Sequence, residues 1–341
     1  MSRTELKDLG EFGLINRLSN GIKLHRTETV KGIGDDAAVM QLDEENYLLF
    51  SSDMLVESIH FDLSYVPLKH LGYKAIAVNV SDIAAMNGIP LQVTISLAVS
   101  NRFSVEAIEE LYAGFNKASE DFKVDIVGGD TTSSTSGLII NIAIIGKVSA
   151  KEITYRSTAL NRDLICVTGD LAGAYIGLQV LEREKQTFLA NPDYQPELEG
   201  KDYVVQKQLK PVARMDVIHE LKELGVKPTA MIDISDGLAS EILHICSSSN
   251  LGAVIYEDKL PIDPITYEAA REFDLDPLTC MMNGGEDYEL LLTIRQEDYE
   301  KVRNHPDLSF IGYMKEKEAG VNLVTKGGNL YPVKAQGWVH F

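Results

Sequence analysis

The sequence is short of the residues that build soft-metal and redox centres. In 341 residues there are three cysteines, seven histidines and one tryptophan. Cys166, Cys246 and Cys280 are far apart, match no metal-ligand spacing, and are odd in number. We therefore expect neither a zinc site nor a disulfide framework, which fits a reducing compartment. Cys166 and Cys246 lie in apolar patterns, so we expect both to be small core residues.

Positive charge is also scarce. The chain has 32 lysines and arginines against 51 acidic residues, a formal charge of -19. This balance argues against binding nucleic acid through a basic surface. It does not argue against anionic ligands, because bound divalent cations reverse the local electrostatic field.

Long apolar runs and the common phosphate-binding signatures are missing as well. The longest apolar stretch, 138–145, is far too short to span a bilayer, and the first residues lack the apolar core of a signal peptide. We therefore expect a cytoplasmic protein that binds no membrane. The sequence contains no G-x-x-x-x-G-K-[ST] loop and no H-R-D or D-F-G set.

The chain length and the pattern of elements predict two domains. A chain of 341 residues exceeds the usual size of a single core. Strand and helix patterns alternate in both halves, which favours an α/β or α+β arrangement in each. The polar segment 147–162 is our predicted boundary, so we expect domains at 1–148 and 149–341.

What the sequence does contain is a set of acidic turns, most of them at the ends of apolar runs. A buried strand that ends in small and acidic residues delivers oxygen ligands at its end. One such turn alone is most simply a helix cap or an Asx turn, but several together suggest one shared site. The turns are Asp35-Asp36, Ser51-Ser52-Asp53, Ser81-Asp82, Gly129-Asp130, Asp233-Ile234-Ser235-Asp236 and Gly284-Gly285-Glu286-Asp287.

Two other interpretations of these turns fail. Residues 32–37 match the loose pattern G-x-G-x-x-A, but Asp35 and Asp36 would repel a pyrophosphate. An EF-hand loop starting at Asp233 would need other residues than Gly237 and His244. Oxygen ligands without clustered histidine or cysteine select Mg²⁺, Mn²⁺ or Ca²⁺. So many carboxylates suggest several ions and a phosphate-rich ligand, as in phosphoryl transfer or nucleotide hydrolysis.

Six motifs in order resemble the thiamine-monophosphate kinase family. They are G-I-G-D-D-A-A, S-S-D-x-L-V-x-x-x-H-F, A-V-N-V-S-D-I-A-A-M, V-G-G-D-T-T, I-D-I-S-D-G-L and G-G-E-D-Y-E-L, followed by the closing G-W-V-H-F. The resemblance implies the two-domain aminoimidazole ribonucleotide synthetase-like fold, α/β (α+β), each domain a mixed sheet with helices on one side. It also implies a homodimer, whose amino-terminal domains bind metal and ATP and pair through their sheets. The carboxy-terminal domain would complete the active site.

The same resemblance implies roles for individual residues. Asp53, Asp130 and Asp236 would be catalytic, and His60, Glu286 and Trp338 would contact thiamine phosphate. ATP would be bound by Gly129, Asp130, Arg156 and Ser235. Magnesium ions would be held by Asp36, Ser51, Ser52, Asp53, Asp82, Asp130, Asp233 and Asp236. Simpler roles stay open for several of these residues: Asp82 as a helix cap, Arg156 as a salt bridge, His60 and Trp338 as packing. Whether Asp35 or Asp287 contacts a ligand also stays open.

The activity implied is ATP- and Mg²⁺-dependent phosphorylation of thiamine monophosphate, with direct in-line transfer of the γ-phosphate. The acceptor oxygen of a phosphate monoester is already anionic near neutral pH, so no general base is needed. Two alternatives remain at this point. One is a sibling ATP-dependent synthetase acting on another small substrate, and the other is a non-catalytic magnesium–nucleotide sensor.

Overall fold

The computed structural model describes residues 5–193 and 195–336 and contains two mixed β-sheets. The first sheet has six strands, all before residue 150, and the second has seven strands, all after residue 163. Trp338 lies outside the described residues. Within those residues, no helix combines the length and the apolar character that crossing a membrane requires.

The amino-terminal half holds the six-stranded sheet and three helices among the described residues. Its elements are α1 (Gly10–Ser19), β1 (Thr29–Lys31), β2 (Ala38–Gln41), β3 (Asn46–Val56), α2 (Leu68–Ala85), β4 (Ile89–Val99), α3 (Val105–Phe122), β5 (Asp125–Ser133) and β6 (Leu138–Ser149). The strand order is β1-β2-β3-β6-β4-β5, with β4 and β5 parallel. Helix α3 begins after Ser104, whose side chain caps it by accepting a hydrogen bond from the amide of Ala107 at 3.3 Å.

The two faces of this sheet have different environments. Alternate residues of β4, Val93, Ile95 and Leu97, are buried against α2 and α3. The opposite face, which we call the outer face, carries exposed apolar residues. Phe50 and Met54 of β3 lie there and are 43% and 54% exposed. One face of the sheet therefore builds the core, and the other offers apolar surface to solvent.

Helix α2 connects the two halves of the molecule. Gly72 on α2 and Gly114 on α3 bring these helices so close that a Cβ on Gly72 would lie 2.1 Å from the Leu111 carbonyl oxygen. Near the carboxy-terminal end of α2, Ala84 and Ala85 pack instead against the second sheet. Helix α2 therefore contributes different side chains to two hydrophobic clusters.

The carboxy-terminal half holds the second sheet, in the order β13-β12-β9-β11-β7-β10-β8. Its elements are β7 (Leu164–Thr168), α4 (Gly173–Ala190), α5 (Asp202–Leu209), α6 (Met215–Glu223), β8 (Ala230–Asp233), α7 (Leu238–Ser249), β9 (Leu251–Tyr256), α8 (Pro264–Glu272), α9 (Pro277–Asn283), β10 (Leu290–Ile294), α10 (Tyr299–Val302), β11 (Leu308–Glu316), β12 (Val321–Val324) and β13 (Leu330–Pro332).

The central strands of the second sheet are buried on both faces. Ile165 and Val167 of β7 pack into the cluster formed with α4 and α7, whereas Cys166 faces the cluster that contains α6 and the end of α2. Such strands read as continuous apolar runs, which is how 164–167 appears in the sequence. Cys166 and Cys246 are buried, as predicted for small core residues.

Candidate active site

A cavity of about 960 Å³ lies between the two halves. Helix α2 forms part of its wall through Lys74, Val78 and Asp82, which are spaced by four residues and so share one helix face. Asp53 of β3 and the loop after β8 also line the cavity. The site is therefore built from elements that are far apart in the sequence.

Three predicted metal ligands converge near the floor of this cavity. Asp36 precedes β2, Asp82 lies in the last turn of α2, and Asp233 ends β8. One carboxylate oxygen from each lies within 4.8 Å of the others. The sequence prediction that separate acidic turns meet in space holds for these three residues.

Asp53 and Ser51 belong to the same neighbourhood. Both lie on the inner face of β3, because residues two apart on a strand point the same way. The Ser51 Oγ lies 2.5 Å from an Asp82 carboxylate oxygen and 3.1 Å from the Asp36 carbonyl oxygen. Burial, together with the charge of Asp233, raises the pKa of Asp53 to about 6.

Arg156 supplies the positive charge beside the cluster. Its guanidinium lies 2.7 Å from Asp36 Oδ1 and 3.4 Å from Asp35 Oδ1. Asp35 also pairs with Lys31 at 2.6 Å, and its side chain is fully buried. Asp35 therefore orients the cations next to Asp36 and does not face the cavity. Arg156 forms salt bridges with both aspartates, and its predicted contact with ATP stays a prediction.

The cluster has the electrostatic signature of a cation site. Burial is the largest cause that raises the pKa of Asp36 and Asp82 well above their usual value, and neighbouring carboxylates add to it. The Oδ2 atom of Asp36 is buried and has no hydrogen-bond partner among the described residues. A buried acceptor without a donor and an all-oxygen ligand set both fit a hard divalent cation.

The loop that follows β8 is fixed by a residue that the motifs did not single out. Ser235 and Asp236 line the cavity, as predicted for ligand-contacting residues. Glu241, buried in the first turn of α7, accepts a hydrogen bond from the Asp236 amide at 2.9 Å. An acidic residue at a core-facing position of a predicted helix was the signal for this role.

In the G-G-E-D-Y-E-L segment, the adjacent acidic residues Glu286 and Asp287 have different roles. Glu286 lines the cavity. Asp287 is buried and accepts hydrogen bonds from the amides of Ala172 and Ala174 at 2.8 and 3.2 Å, at the start of α4. Asp287 thus satisfies helix amides that would otherwise lack acceptors. Gly285 permits the close approach of this loop to Ser235, since a Cβ there would lie 2.4 Å from the Ser235 carbonyl oxygen.

His60 also lines the cavity. Its Nδ1 accepts a hydrogen bond from the amide of Val56 at 2.9 Å, which requires the proton of a neutral ring to be on Nε2. The ring is therefore held in one orientation and one tautomer by the backbone of β3.

Three predicted ligands are not brought together with the others. Ser52 lies on the outer face of β3, where its Oγ accepts a hydrogen bond from Asn141 at 3.0 Å. The register pairs Asp53 with Ile142, Ile142 with Ile95, and Ile95 with Gly129. Gly129 and Asp130 are thus three strands from Asp53, roughly 14 Å at the usual strand spacing.

Asp130 also points away from the cluster. It pairs with Ser96, which pairs with Asn141, so its side chain shares the outer face with these residues. Asp130 is exposed, and its carboxylate accepts a hydrogen bond from the amide of Thr131 at 2.9 Å. Within one chain, the sheet itself separates Asp130 from Asp53.

Comparison with known proteins first defines the class of protein that carries this fold. Residues 34–148 match the family model described as AIR synthase related protein, N-terminal domain, and residues 163–320 match the corresponding C-terminal domain. The two-domain fold with mixed sheets is therefore confirmed. A hydrogenase maturation protein HypE in complex with ATP is similar in fold, with a TM-score of 0.68 at 19% identity.

More similar relatives narrow this class. The chain is 34% identical to thiamine-monophosphate kinase from Buchnera aphidicola subsp. Schizaphis graminum, over 98% of this chain and 99% of that protein. It is 32% identical to the kinase of the same name from Bacillus subtilis, over 98% and 100% of the two chains. A structure described as AaThiL complexed with AMPPCP and TMP is 32% identical, covers 100% of both chains and has a TM-score of 0.85. The chain belongs to the thiamine-monophosphate kinase family, which confirms the resemblance of its six motifs.

Proposed function

We propose that this protein transfers the γ-phosphate of ATP to thiamine monophosphate, giving thiamine diphosphate and ADP. The observation that carries the proposal is the convergence of Asp36, Asp82 and Asp233 beside a cavity between two domains, in a chain of this family. The amino-terminal domain, 1–148, would bind metal and ATP, and the carboxy-terminal domain, 149–341, would complete the site.

The carboxylate cluster would hold Mg²⁺, with Asp53 as a further ligand at the cavity floor. When bound there, Mg²⁺ supplies charge neutralisation for the phosphate oxygens of both reactants. Asp36 is kept in place by Arg156, and Ser51 orients one Asp82 oxygen. Ser51 and the backbone around Ser52 remain proposed ligands.

The residues of the cavity would bind and orient the two reactants rather than take a proton from the acceptor. A phosphate monoester oxygen is already anionic near neutral pH, so positioning and charge stabilisation dominate catalysis. Asp236 lies next to Ser235 on the loop fixed by Glu241, and we assign these two residues to magnesium and ATP respectively. Transfer would be direct, with no phosphoenzyme.

His60 and Glu286 would contact the thiamine phosphate. Both line the cavity, and His60 would use its Nε2–H as a donor. Trp338 stays in this set as a prediction from the family motif, and an aromatic ring is suited to a cationic thiazolium.

The decisive experiment is a magnesium-dependent assay with ATP and thiamine monophosphate that follows ADP and thiamine diphosphate together. Asp53→Asn should lower turnover by at least about 100-fold with the fold intact, since it removes a charge at the reacting phosphates. The matched control is Asp258→Asn, an exposed residue in the other domain. ADP release with an aminoimidazole precursor instead, or tight ATP binding without product, would contradict the proposal.

The outer face of the first sheet supports a homodimer. Phe50 and Met54 of β3 leave 43% and 54% of their surface exposed, and Val127 of β5, three strands away in the same sheet, leaves 56% exposed. A second copy of this chain would cover that apolar area by pairing sheet with sheet. The same arrangement accounts for Gly129 and Asp130, which a single chain holds far from Asp53. We assign them to the ATP and metal site of the adjoining subunit.

Mixed dimers test this assignment. Asp53→Asn and Asp130→Asn, each inactive alone, should recover about a quarter of the wild-type activity when co-expressed in equal amounts, because half of the dimers then contain one intact site. No recovery in verified mixed dimers would place Asp53 and Asp130 in the site of the same chain. A fully active Asp130→Asn variant would remove Asp130 from the site altogether.

A further inference from the structure

One buried cation in the cavity wall has no role in the chemistry described so far. Lys74, in the middle of α2, is 3% exposed and lies in the wall of the cavity. A lysine is almost never buried to this degree unless its ammonium is paired. The partners of Lys74 therefore indicate what it does.

The partners lie across the boundary between the two domains. The Lys74 Nζ is 2.8 Å from Glu286 Oε1 and donates a hydrogen bond to the Gln208 carbonyl oxygen at 3.2 Å. The Gln208 side-chain Nε2 donates to the other carboxylate oxygen of Glu286, Oε2, at 2.7 Å. Both oxygens of Glu286 are thus held by donors from two separate helices, α2 and α5.

These hydrogen bonds hold the Glu286 carboxylate in place and leave it able to accept further hydrogen bonds. Each carboxylate oxygen can accept two hydrogen bonds, so one lone-pair direction on each remains for a ligand. The Glu286 side chain keeps 28% of its surface exposed toward the cavity. Its backbone is also constrained, with φ at +66° and the amide donating to the Ser235 carbonyl oxygen at 2.7 Å.

We propose that Lys74 is a positioning residue for the thiamine phosphate, acting through Glu286 with Gln208 as the second support. Lys74 sits eight residues before Asp82 on the same helix, about 12 Å along the axis, so it is remote from the metal cluster. Through Glu286, Lys74 acts at the end of the cavity that holds the organic part of the substrate. The inference rests on the proposed function, because it requires Glu286 to contact that substrate.

The test is the steady-state kinetics of Lys74→Met in the full-length protein. Methionine keeps the length of the chain and removes the ammonium. Loss of a charge-assisted hydrogen bond to Glu286 should raise KM for thiamine monophosphate between about 10-fold and 100-fold. The KM for ATP and kcat should stay within about two-fold of the wild type, because the metal cluster and Arg156 are untouched.

A double mutant separates positioning from general damage. If Lys74 acts through Glu286, then Lys74→Met adds little to the effect of Glu286→Gln, and the two changes are strongly non-additive. Additive effects on KM would overturn the proposal. So would a lower KM, because it would show that Lys74 competes with a cationic substrate for Glu286. The matched control is Lys117→Met on the exposed side of α3, where the lysine pairs with Asp121.

Gln208→Leu keeps the proposal testable if Lys74→Met does not fold. It removes only the bond to Glu286 Oε2, so KM for thiamine monophosphate should rise less than in Lys74→Met, again without a change in KM for ATP. An unchanged KM in Gln208→Leu would contradict the arrangement. A wild-type protein without activity on thiamine monophosphate refutes the proposed function, whereas an active wild type with no selective effect of these variants refutes only this inference.

Discussion

Replacing Asp82 by asparagine should stabilise the metal-free protein and remove its response to magnesium. The structure holds carboxylate oxygens of Asp36, Asp82 and Asp233 within 4.8 Å of one another. Two unit charges at that distance repel by about 3 kcal/mol at an effective dielectric constant of about 20. Protonation already relieves part of this repulsion, since burial raises the pKa of Asp82 well above its usual value. We therefore expect a net gain of about 1–3 kcal/mol.

The assay is thermal unfolding in EDTA and in excess magnesium. For a chain of this size the gain corresponds to an increase in Tm of roughly 1–4 °C without metal. Excess magnesium should raise the Tm of the wild type, as any ligand of the folded state does, but should leave Asp82→Asn nearly unchanged. Turnover should be lost in the variant. Asp258→Asn, exposed in the second domain, controls for the substitution itself.

The pH dependence adds a second check on the same variant. A carboxyl group whose folded pKa is raised binds more protons in the folded state, so it destabilises the protein at neutral pH, and stability recovers as the pH falls. As the pH falls from neutral, the carboxylate cluster should therefore add stability to the metal-free wild type, and Asp82→Asn should gain less. A variant that is less stable than the wild type in EDTA would refute the argument from repulsion.

Three further predictions concern other parts of the molecule. His244 is held neutral, with burial as the main cause of a pKa of about 4, so the folded state resists protonation and the contribution of His244 to stability falls between pH 6.5 and 4. In urea unfolding at several pH values, His244→Gln should lose up to about 3 kcal/mol less stability than the wild type over that range. Gly285→Ala should push its loop away from the Ser235 carbonyl. When both are measured, kcat/KM should be clearly lower and Tm only slightly lower. Gly72→Ala should cost about 1–3 kcal/mol in urea unfolding, because its Cβ would lie 2.1 Å from the Leu111 carbonyl oxygen. Unchanged values in any of these measurements would contradict the contact named.

The sequence predicts that the acidic turns converge, but not which elements carry them. Asp36 precedes β2 and Asp233 ends β8 of the other sheet, whereas Asp53 lies inside β3 and Asp82 in the last turn of α2. Asp36, Asp82 and Asp233 form the cluster. Asp130 also ends an apolar run, yet it lies on the opposite face. The residue face depends on the pairing of β5 with β4 and on an irregularity in its register, which sequence periodicity does not reveal.

Buried polar partners were harder to predict than ligands. Lys74 and Glu241 both sit in helical patterns that read as core-facing, and the sequence does not say which groups lie across from them. Their roles depend on contacts between elements far apart in the chain, such as the 2.8 Å pair of Lys74 with Glu286. A charged residue on an otherwise apolar helix face was the available signal. The different roles of Glu286 and Asp287 were hidden for the same reason, since only the position of α4 shows that Asp287 caps a helix.

The uninterrupted course of α2 has a consequence for selectivity. Asp82, which would bind a cation, and Lys74, which supports Glu286, lie on the same continuous helix. Backbone hydrogen bonds set the length of this helix. The helix therefore fixes the distance between a phosphate bound near Asp82 and a ring bound near Glu286. Analogues whose linker is longer or shorter would satisfy only one end at a time, so discrimination by size would arise without any moving part.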